Sequence, residues 1–298
     1  FMASQINPIV VDLDGTLIKT DMLFESANQF ITQNPLRFWQ PFVWLMRGRP
    51  YLKEQLAQRY EFDAANLPYN EQVLAWLREQ ASKGAPIYLA TASNRVIADA
   101  VAQHLKIFTG VFASENNINL KASRKRDRLI AEFGEKQFSY VGNENDDVVV
   151  WEKASAAHIV SHSAALQAKV DAIGNKGEVF TSASAAPGGL FKAMRLHQWV
   201  KNLLVFVPLL GAHQISNTPA LIEAIFAFVA FGLCASSVYL LNDLVDIEND
   251  RQHPRKKARP FASGRLSLLV GWVLWPLLTL SAFILAWLTL PLPFTAVL

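Results

Sequence analysis

Pro8-Ile9-Val10-Val11-Asp12-Leu13-Asp14-Gly15-Thr16 decides how the first part of the chain is read. Ile9 to Leu13 is a short apolar run suited to a buried strand, and acids and a glycine close it. Ligands of open α/β sheets bind beyond the carboxyl ends of the strands, so Asp12 and Asp14 should emerge at one mouth. One acid can attack a phosphorus atom while the other moves the proton. A divalent cation between them screens their repulsion and the phosphate charge.

Outward from this stretch, as far as about Val170, short apolar runs alternate with amphipathic ones. The pattern predicts strands at Ile9–Leu13, Ile87–Ala90, Gly110–Ala113, Phe138–Val141 and His158–Val160, with helices at Glu71–Lys83 and Val96–His104. Gly84 ends the first of these helices as a C-terminal glycine should. Repeated strand, helix, strand implies an α/β unit with a parallel sheet covered on both faces. Met22 to Leu67 reads as a helical insertion rich in aromatics (Phe38, Trp39, Phe42, Trp44, Tyr51), a cap over the mouth. Arg37, Arg47 and Arg49 flank these aromatics, which leaves contact with a membrane surface as the alternative. Packing of the cap on its own domain is preferred, because Pro35, Pro41 and Pro50 interrupt any long amphipathic helix.

Asp12-Leu13-Asp14-Gly15-Thr16 after an apolar strand resembles the first motif of the haloacid dehalogenase (HAD) superfamily, whose parallel sheet carries a helical cap. The resemblance covers about Pro8 to Val170 and implies a phosphohydrolase with Asp12 as nucleophile and Asp14 as general acid/base. It also implies Thr91 as the phosphate-binding hydroxyl and Lys125 as the phosphate-binding lysine, with Lys121 as a substitute. The family's acidic loop matches Gly142-Asn143-Glu144-Asn145-Asp146-Asp147, so that Asp12, Asp14 and Asp147 would hold Mg2+. Many members carry Asp directly after the glycine, where this chain has Asn143, and an amide is a weaker ligand for a hard cation than a carboxylate.

The rest of the chain is of a different kind. Of 298 residues 51% are hydrophobic and mean hydropathy is +0.17, yet charged residues crowd the first part. The net charge of +3 is too small to argue for nucleic acid, and a lone cysteine, Cys234, excludes an intrachain disulfide. Asp171 to Gly189 shows no sustained periodicity, which places a soluble domain at residues 1–180, a linker at 181–189 and a second unit at 190–298. Asn202 to Asn242 holds Glu223 as its single formal charge, and Leu266 to Leu298 holds none. Membrane spans need about 20 apolar residues, so they are predicted near Trp199–Ala212, Ala220–Leu241 and Leu266–Leu290, with a fourth beginning near Pro293. Arg251, Arg255, Lys256, Lys257, Arg259 and Arg265 lie between the second and third spans, which places that loop and the N-terminal domain in the cytoplasm. No cleavable signal peptide opens the chain, in agreement.

Asn242-Asp243-Leu244-Val245-Asp246-Ile247-Glu248-Asn249-Asp250 follows directly on the second span. At helical spacing Asp243, Asp246 and Asp250 fall within an arc of roughly 60°, Glu248 lying opposite. Unpartnered acids at a membrane edge are costly, and a divalent metal bridging them to a diphosphate explains them. Ordinary ion pairs to Arg251 and Arg255 are the plainer alternative. This run, with Arg259-Pro260-Phe261-Ala262-Ser263-Gly264 after it, resembles the UbiA superfamily of intramembrane transferases. Arg195-Leu196-His197-Gln198-Trp199-Val200-Lys201-Asn202 and His253-Pro254 resemble its decaprenyl-phosphate phosphoribosyltransferases most.

That resemblance implies an all-α transmembrane bundle in a bacterial cytoplasmic membrane. Asn242, Asp243, Asp246 and Asp250 would hold Mg2+ on a donor diphosphate, and Arg255, Lys257 and Arg259 would bind phosphate. Arg195 and Lys201 are either phosphate ligands or interfacial anchors. The implied partners are phosphoribosyl pyrophosphate and a polyprenyl phosphate, or a prenyl diphosphate if the enzyme is instead an aromatic prenyltransferase of quinone or haem synthesis. Such bundles have about eight or nine spans and a second acidic motif, so this stretch alone is expected not to complete a transfer.

Overall fold

The computed structural model describes residues 7–114, 119–161, 163–180 and 187–298. The chain divides into two compact units, Phe1–Ser184 and Ala185–Leu298.

In the first unit β1 (Ile9–Val11), α1 (Met22–Gln33), α2 (Gln40–Met46), α3 (Arg49–Ala57) and α4 (Glu71–Ser82) come first. They are followed by β2 (Ile87–Asn94), α5 (Arg95–Leu105), β3 (Gly110–Ser114), α6 (Ser123–Phe133), β4 (Ser139–Gly142), α7 (Val148–Trp151), β5 (Ala156–Val160), α8 (Ala164–Ile173) and β6 (Lys176–Phe180). The strands form a sheet of order β3-β2-β1-β4-β5-β6, every pair parallel. Ile9 lies opposite both Ile87 and Ser139, so β1 is central and buried on both faces, which is why it is apolar without alternation. Successive side chains still point to opposite faces. Ile9 and Val11 join Val73, Leu77, Ile97 and Val101 on one side. Val10 joins Leu129, Tyr140 and Trp151 on the other.

Two expectations change here. The expected strand list is incomplete, because α8 reaches Ile173 and an unforeseen β6 pairs with β5 from Lys176 to Phe180, inside the soluble domain expected at residues 1–180; most of the linker expected at 181–189 lies outside the described residues. Lys-Gly-Glu-Val-Phe is a short edge strand in which only Phe180 is buried, so it carries no apolar run to reveal it. The cap is also packed only in part. Phe30, Leu52 and Leu56 form a small core with Trp44 against it, but Phe38, Trp39, Phe42, Leu45 and Met46 face solvent.

In the second unit α9 (Pro187–Ala193) leads into a 3-10 helix, Leu196–Phe206, and α10 (Val207–Gly211). Then come α11 (Thr218–Val245), α12 (Ile247–Gln252), α13 (Leu268–Thr289) and α14 (Leu292–Val297). Among the described residues α11 and α13 are long and apolar enough to cross a membrane. The span expected at Trp199–Ala212 is not such a helix. Its polar start at Lys201 and Asn202, the tight winding to Phe206 and Pro208 in the first turn of α10 leave no continuous apolar run of that length. Close helix approach explains the small residues of this unit. A Cβ on Gly232 would lie 2.6 Å from the Trp199 ring, and one on Gly271 would meet Phe261 and Leu244 below 3 Å.

His158 offers a test of the first unit. Its Nδ1 accepts the Glu178 N–H at 2.9 Å, its ring packs 4.6 Å from Trp76, and burial pushes its pKa from 6.5 down to about 4. The folded state therefore keeps it neutral while the unfolded chain protonates. The stability this gives is complete above pH 6.5 and is lost as pH falls toward 4. Chemical denaturation across that window should show wild type losing up to about 3 kcal/mol relative to His158→Gln. Parallel pH profiles for the two proteins would contradict it.

Candidate functional site

Asp12 stands at the carboxyl end of β1, its N–H donating to Val141 O at 3.0 Å. From α6 the buried Lys125 donates to Asp12 Oδ1 at 2.8 Å and to Tyr140 Oη at 2.8 Å, and Tyr140 in turn donates to Asp147 Oδ1 at 2.9 Å. This makes one continuous buried chain from acid to acid. Asp147 Oδ2 also accepts the N–H groups of Asn143 and Glu144 at 2.9 and 3.0 Å. Asp14 Oδ1 accepts from Met22 N–H at 2.8 Å, and its Oδ2 accepts from the Ser93 hydroxyl at 2.7 Å. Thr91 reaches that oxygen only at 3.5 Å and accepts the Ser93 N–H at 2.9 Å.

Proton affinities follow from this crowding. Burial raises Asp12 to about 7; Lys125 opposes the rise while Asp147 and Asp14 add to it. Burial also raises Asp14 to about 6, with help from Asp21. Burial acts against the Lys125 ammonium, but Asp12 and Asp147 outweigh it, and the lysine is held above its ordinary value.

Of the residues expected here, Asp12, Asp14, Lys125 and Asp147 converge, with Thr91 at the edge of reach. Lys121 is a rim residue that pairs with Asp146 at 2.8 Å. Ser93 and Tyr140 were missed. Ser93 is two residues beyond Thr91 on β2 and so shares its face, a spacing that could have found it. Tyr140 lies inside a strand and reads only as core. Asp12, Asp14 and Asp147 stand at one mouth, where both oxygens of Asp14 and of Asp147 accept from protein donors and Asn143 Oδ1 accepts from Thr16 Oγ1 at 2.9 Å. Each carboxylate oxygen has two lone pairs, so these bonds leave it able to meet a cation as well. The Asn143 amide lies so close that a Cβ at Gly15, φ +72°, would be 2.3 Å from it. Asp12 alone keeps an oxygen outside these bonds.

In the second unit α11 carries Asp243 to its last turn and α12 carries Asp250, with Asp246 between the helices. Asp243 and Asp250 are buried, Asp246 is half-buried, and Asn242 and Glu248 are exposed. Arg259 Nη1 lies 3.1 Å from Asp243 Oδ1 and 2.7 Å from Asp250 Oδ2, bridging the two acids. Arg195 Nη2 adds a bond to Asp243 Oδ1 at 2.6 Å, its guanidinium standing 4.7 Å over the Tyr239 ring. Arg195 is thus an acid-binding residue here. Asp243 and Asp250 pair with Arg195 and Arg259, and Lys256 stands 3.9 Å from Asp250. Arg255, Lys257 and Lys201 are exposed. The missed Lys256 is hidden in a run of neighbouring cations. Asp250 Oδ1 is buried with no hydrogen-bond partner, an orphan acceptor that fits a cation.

With a parallel sheet, an acidic pair at the end of its central strand and a helical cap, the first unit resembles the HAD-like phosphatases in fold. Residues 203–298 match the UbiA prenyltransferase family, so the second unit carries a UbiA-family domain. The uncharacterized protein y4nM of Sinorhizobium fredii is 37% identical over 89% of this chain and 52% of its own length. Decaprenyl-phosphate phosphoribosyltransferase of Corynebacterium glutamicum is 49% identical over 26% of this chain and 24% of its own. A substrate-bound phosphoserine phosphatase structure matches 60% of this chain and 94% of its own at 16% identity, TM-score 0.41. The chain thus spans about half the length of the first of these relatives and about a quarter of the second.

Removing Arg259 should leave Asp250 with only Lys256 at 3.9 Å and Asp243 with Arg195 alone. Arg259→Gln is expected to cost about 3 kcal/mol, and Arg255→Gln, on an exposed cation, less than about 0.5 kcal/mol. Thermal unfolding in detergent separates them, and equal midpoints would remove the bridge from the account.

Proposed function

We propose that the protein is a membrane-bound UbiA-type transferase that moves 5-phosphoribose from phosphoribosyl pyrophosphate to a polyprenyl phosphate, joined to a phosphohydrolase domain. The observation that carries it is the buried pair Asp243 and Asp250, bridged by Arg259 and left with one unsatisfied oxygen, in the part of the chain that matches the phosphoribosyltransferases. Asn242, Asp243, Asp246 and Asp250 would hold Mg2+, which when bound supplies positive charge to a departing diphosphate. Arg195, Arg259 and Lys256 supply cationic donors that suit phosphate groups. A lipid phosphate oxygen then bonds to the ribose anomeric carbon as its bond to the diphosphate breaks. The basic loop from Arg251 to Arg265 supports a cytoplasmic face for this site.

The first unit would remove the 5-phosphate from that lipid product. Asp12 is set to attack phosphorus, Lys125 balances charge beside it, and Asp14, which burial raises to about 6, can pass a proton to the leaving oxygen. A second reading, a phosphate-sensing module without turnover, is favoured by Asn143 being tied to Thr16 and by the protein donors that both oxygens of Asp147 already meet.

Membranes containing the protein and polyprenyl phosphate should incorporate label from [14C]phosphoribosyl pyrophosphate into lipid extract. Asp243→Asn should lower this about 10²-fold or more. Label entering an aromatic acceptor from a prenyl diphosphate instead would overturn the donor assignment. With the phosphorylated lipid as substrate, wild type should release inorganic phosphate and Asp12→Asn should not. Absence of release, or equal release from both, leaves the sensing reading.

A further inference from the structure

The cap carries a surface that neither site uses. Leu36, Phe38, Trp39, Phe42, Val43, Leu45 and Met46 are all exposed, Leu36 by 91% and Met46 by 87%. Apolar side chains this large are normally scattered singly, and a contiguous run marks a contact surface. The helix α2 shows why they are not core. Trp44 turns inward, 5.0 Å from Phe30, and Pro41 is buried, so Phe42, Val43, Leu45 and Met46 are left on the outer face. Prolines at 35, 41 and 50 break the segment into short pieces, so the outer face cannot roll inward as one amphipathic helix.

The charge around this face has one sign. Between Glu25 and Glu54 there is no Asp or Glu, while Arg37, Arg47 and Arg49 are exposed beside the apolar residues. Arg47 is held in place by Tyr51, donating to its hydroxyl at 3.2 Å with the guanidinium 5.2 Å from the ring. Tryptophan and phenylalanine bordered by arginines match the level where bilayer headgroups meet acyl chains, and the arginines complement anionic lipids. A protein partner would more readily present counter-charges matched to particular arginines. A bilayer asks only for an apolar wedge with a cationic rim, which is what the segment offers. The same chain carries two helices apolar and long enough to cross a membrane, so such a surface is tethered near lipid and weak affinity suffices.

We propose that Leu36–Met46, with Arg37, Arg47 and Arg49, is a docking surface that seats the cap of the first unit on the anionic face of the bilayer. The proposal rests on the second unit crossing that bilayer. Lys121 pairs with Asp146 on the acidic loop, which raises that lysine's proton affinity, and Arg49 is near enough to oppose the rise. The cap's cationic rim therefore borders the rim of the phosphatase mouth, and docking would hold that mouth where a lipid-borne phosphate could enter.

The test uses the whole chain in a Cys234→Ser background, with a fluorophore on Phe42→Cys, Met46→Cys, Leu280→Cys or Lys83→Cys. Each is reconstituted into phosphatidylcholine vesicles with or without phosphatidylglycerol, and doxyl-labelled lipid is the quencher. Leu280, exposed on α13, reports the span, and Lys83, exposed at the end of α4, reports the solvent side of the first unit. Labels at Phe42 and Met46 should be quenched well above the Lys83 level when phosphatidylglycerol is present. Replacing Arg37, Arg47 and Arg49 by Gln should weaken the partitioning by about fivefold for each residue. Quenching at Leu280 with none at Phe42 and Met46 overturns the docking while leaving the span intact. A blue-shifted but unquenched label overturns it in favour of a protein surface covering the patch. Absence of quenching at Leu280 removes the span and the docking together. Quenching at Phe42 that ignores both lipid charge and the arginine substitutions overturns the anionic component.

Discussion

A carboxylate taken out of water must be given a cation or a proton, and both units of this protein are arranged around that requirement. In the first, Lys125 enters from α6 to meet Asp12, and Tyr140 passes the hydrogen-bond chain on to Asp147. In the second, Arg259 returns from the loop after α12 to hold Asp243 and Asp250 together. Neither arrangement survives the loss of its cation cheaply, and each explains a local oddity. The buried lysine of α6 and the arginine bridging two helices are both anomalies of burial until their partners are named.

The two sites differ in what they leave unsatisfied. Around Asp14 and Asp147 nearly every oxygen has a donor from the protein itself, and Asn143 closes on Thr16 rather than facing a ligand. Around Asp250 one buried oxygen accepts no hydrogen bond, and the nearest cation, Lys256 Nζ, stands 3.9 Å from it. The charges are balanced differently in each: by one buried lysine beside Asp12 in the first unit, and by two arginines against Asp243 and Asp250 in the second.

Much of this was legible in the sequence where short-range pattern and chemistry coincide. Asp12-Leu13-Asp14-Gly15-Thr16 after an apolar run determined the central strand and its mouth. Asp243 and Asp250 do come together, but from two helices, α11 and α12, that break at Asp246, and not on the single helix face that their spacing suggested. What stayed hidden depends on contacts distant in sequence. Lys125 and Lys121 differ only in that one reaches Asp12 and the other reaches Asp146. Tyr140 gives no sign of its role, because a tyrosine in a strand is indistinguishable from core. The choice of Arg259 and Arg195 over Arg255 and Lys257 follows from how the chain returns after α12, which charge counting does not reveal. β6 was missed because an edge strand needs little apolar sequence. The span expected at Trp199–Ala212 failed because overall apolarity is not continuity.

The central claim is that Asp250 is held ready for a cation that carries a diphosphate. Electron paramagnetic resonance of Mn2+ added with pyrophosphate to the purified protein measures this directly, since bound Mn2+ loses its free-ion signal. The account predicts that wild type depletes that signal and that Asp250→Asn does not. Undiminished depletion by Asp250→Asn, or none by wild type, would contradict it.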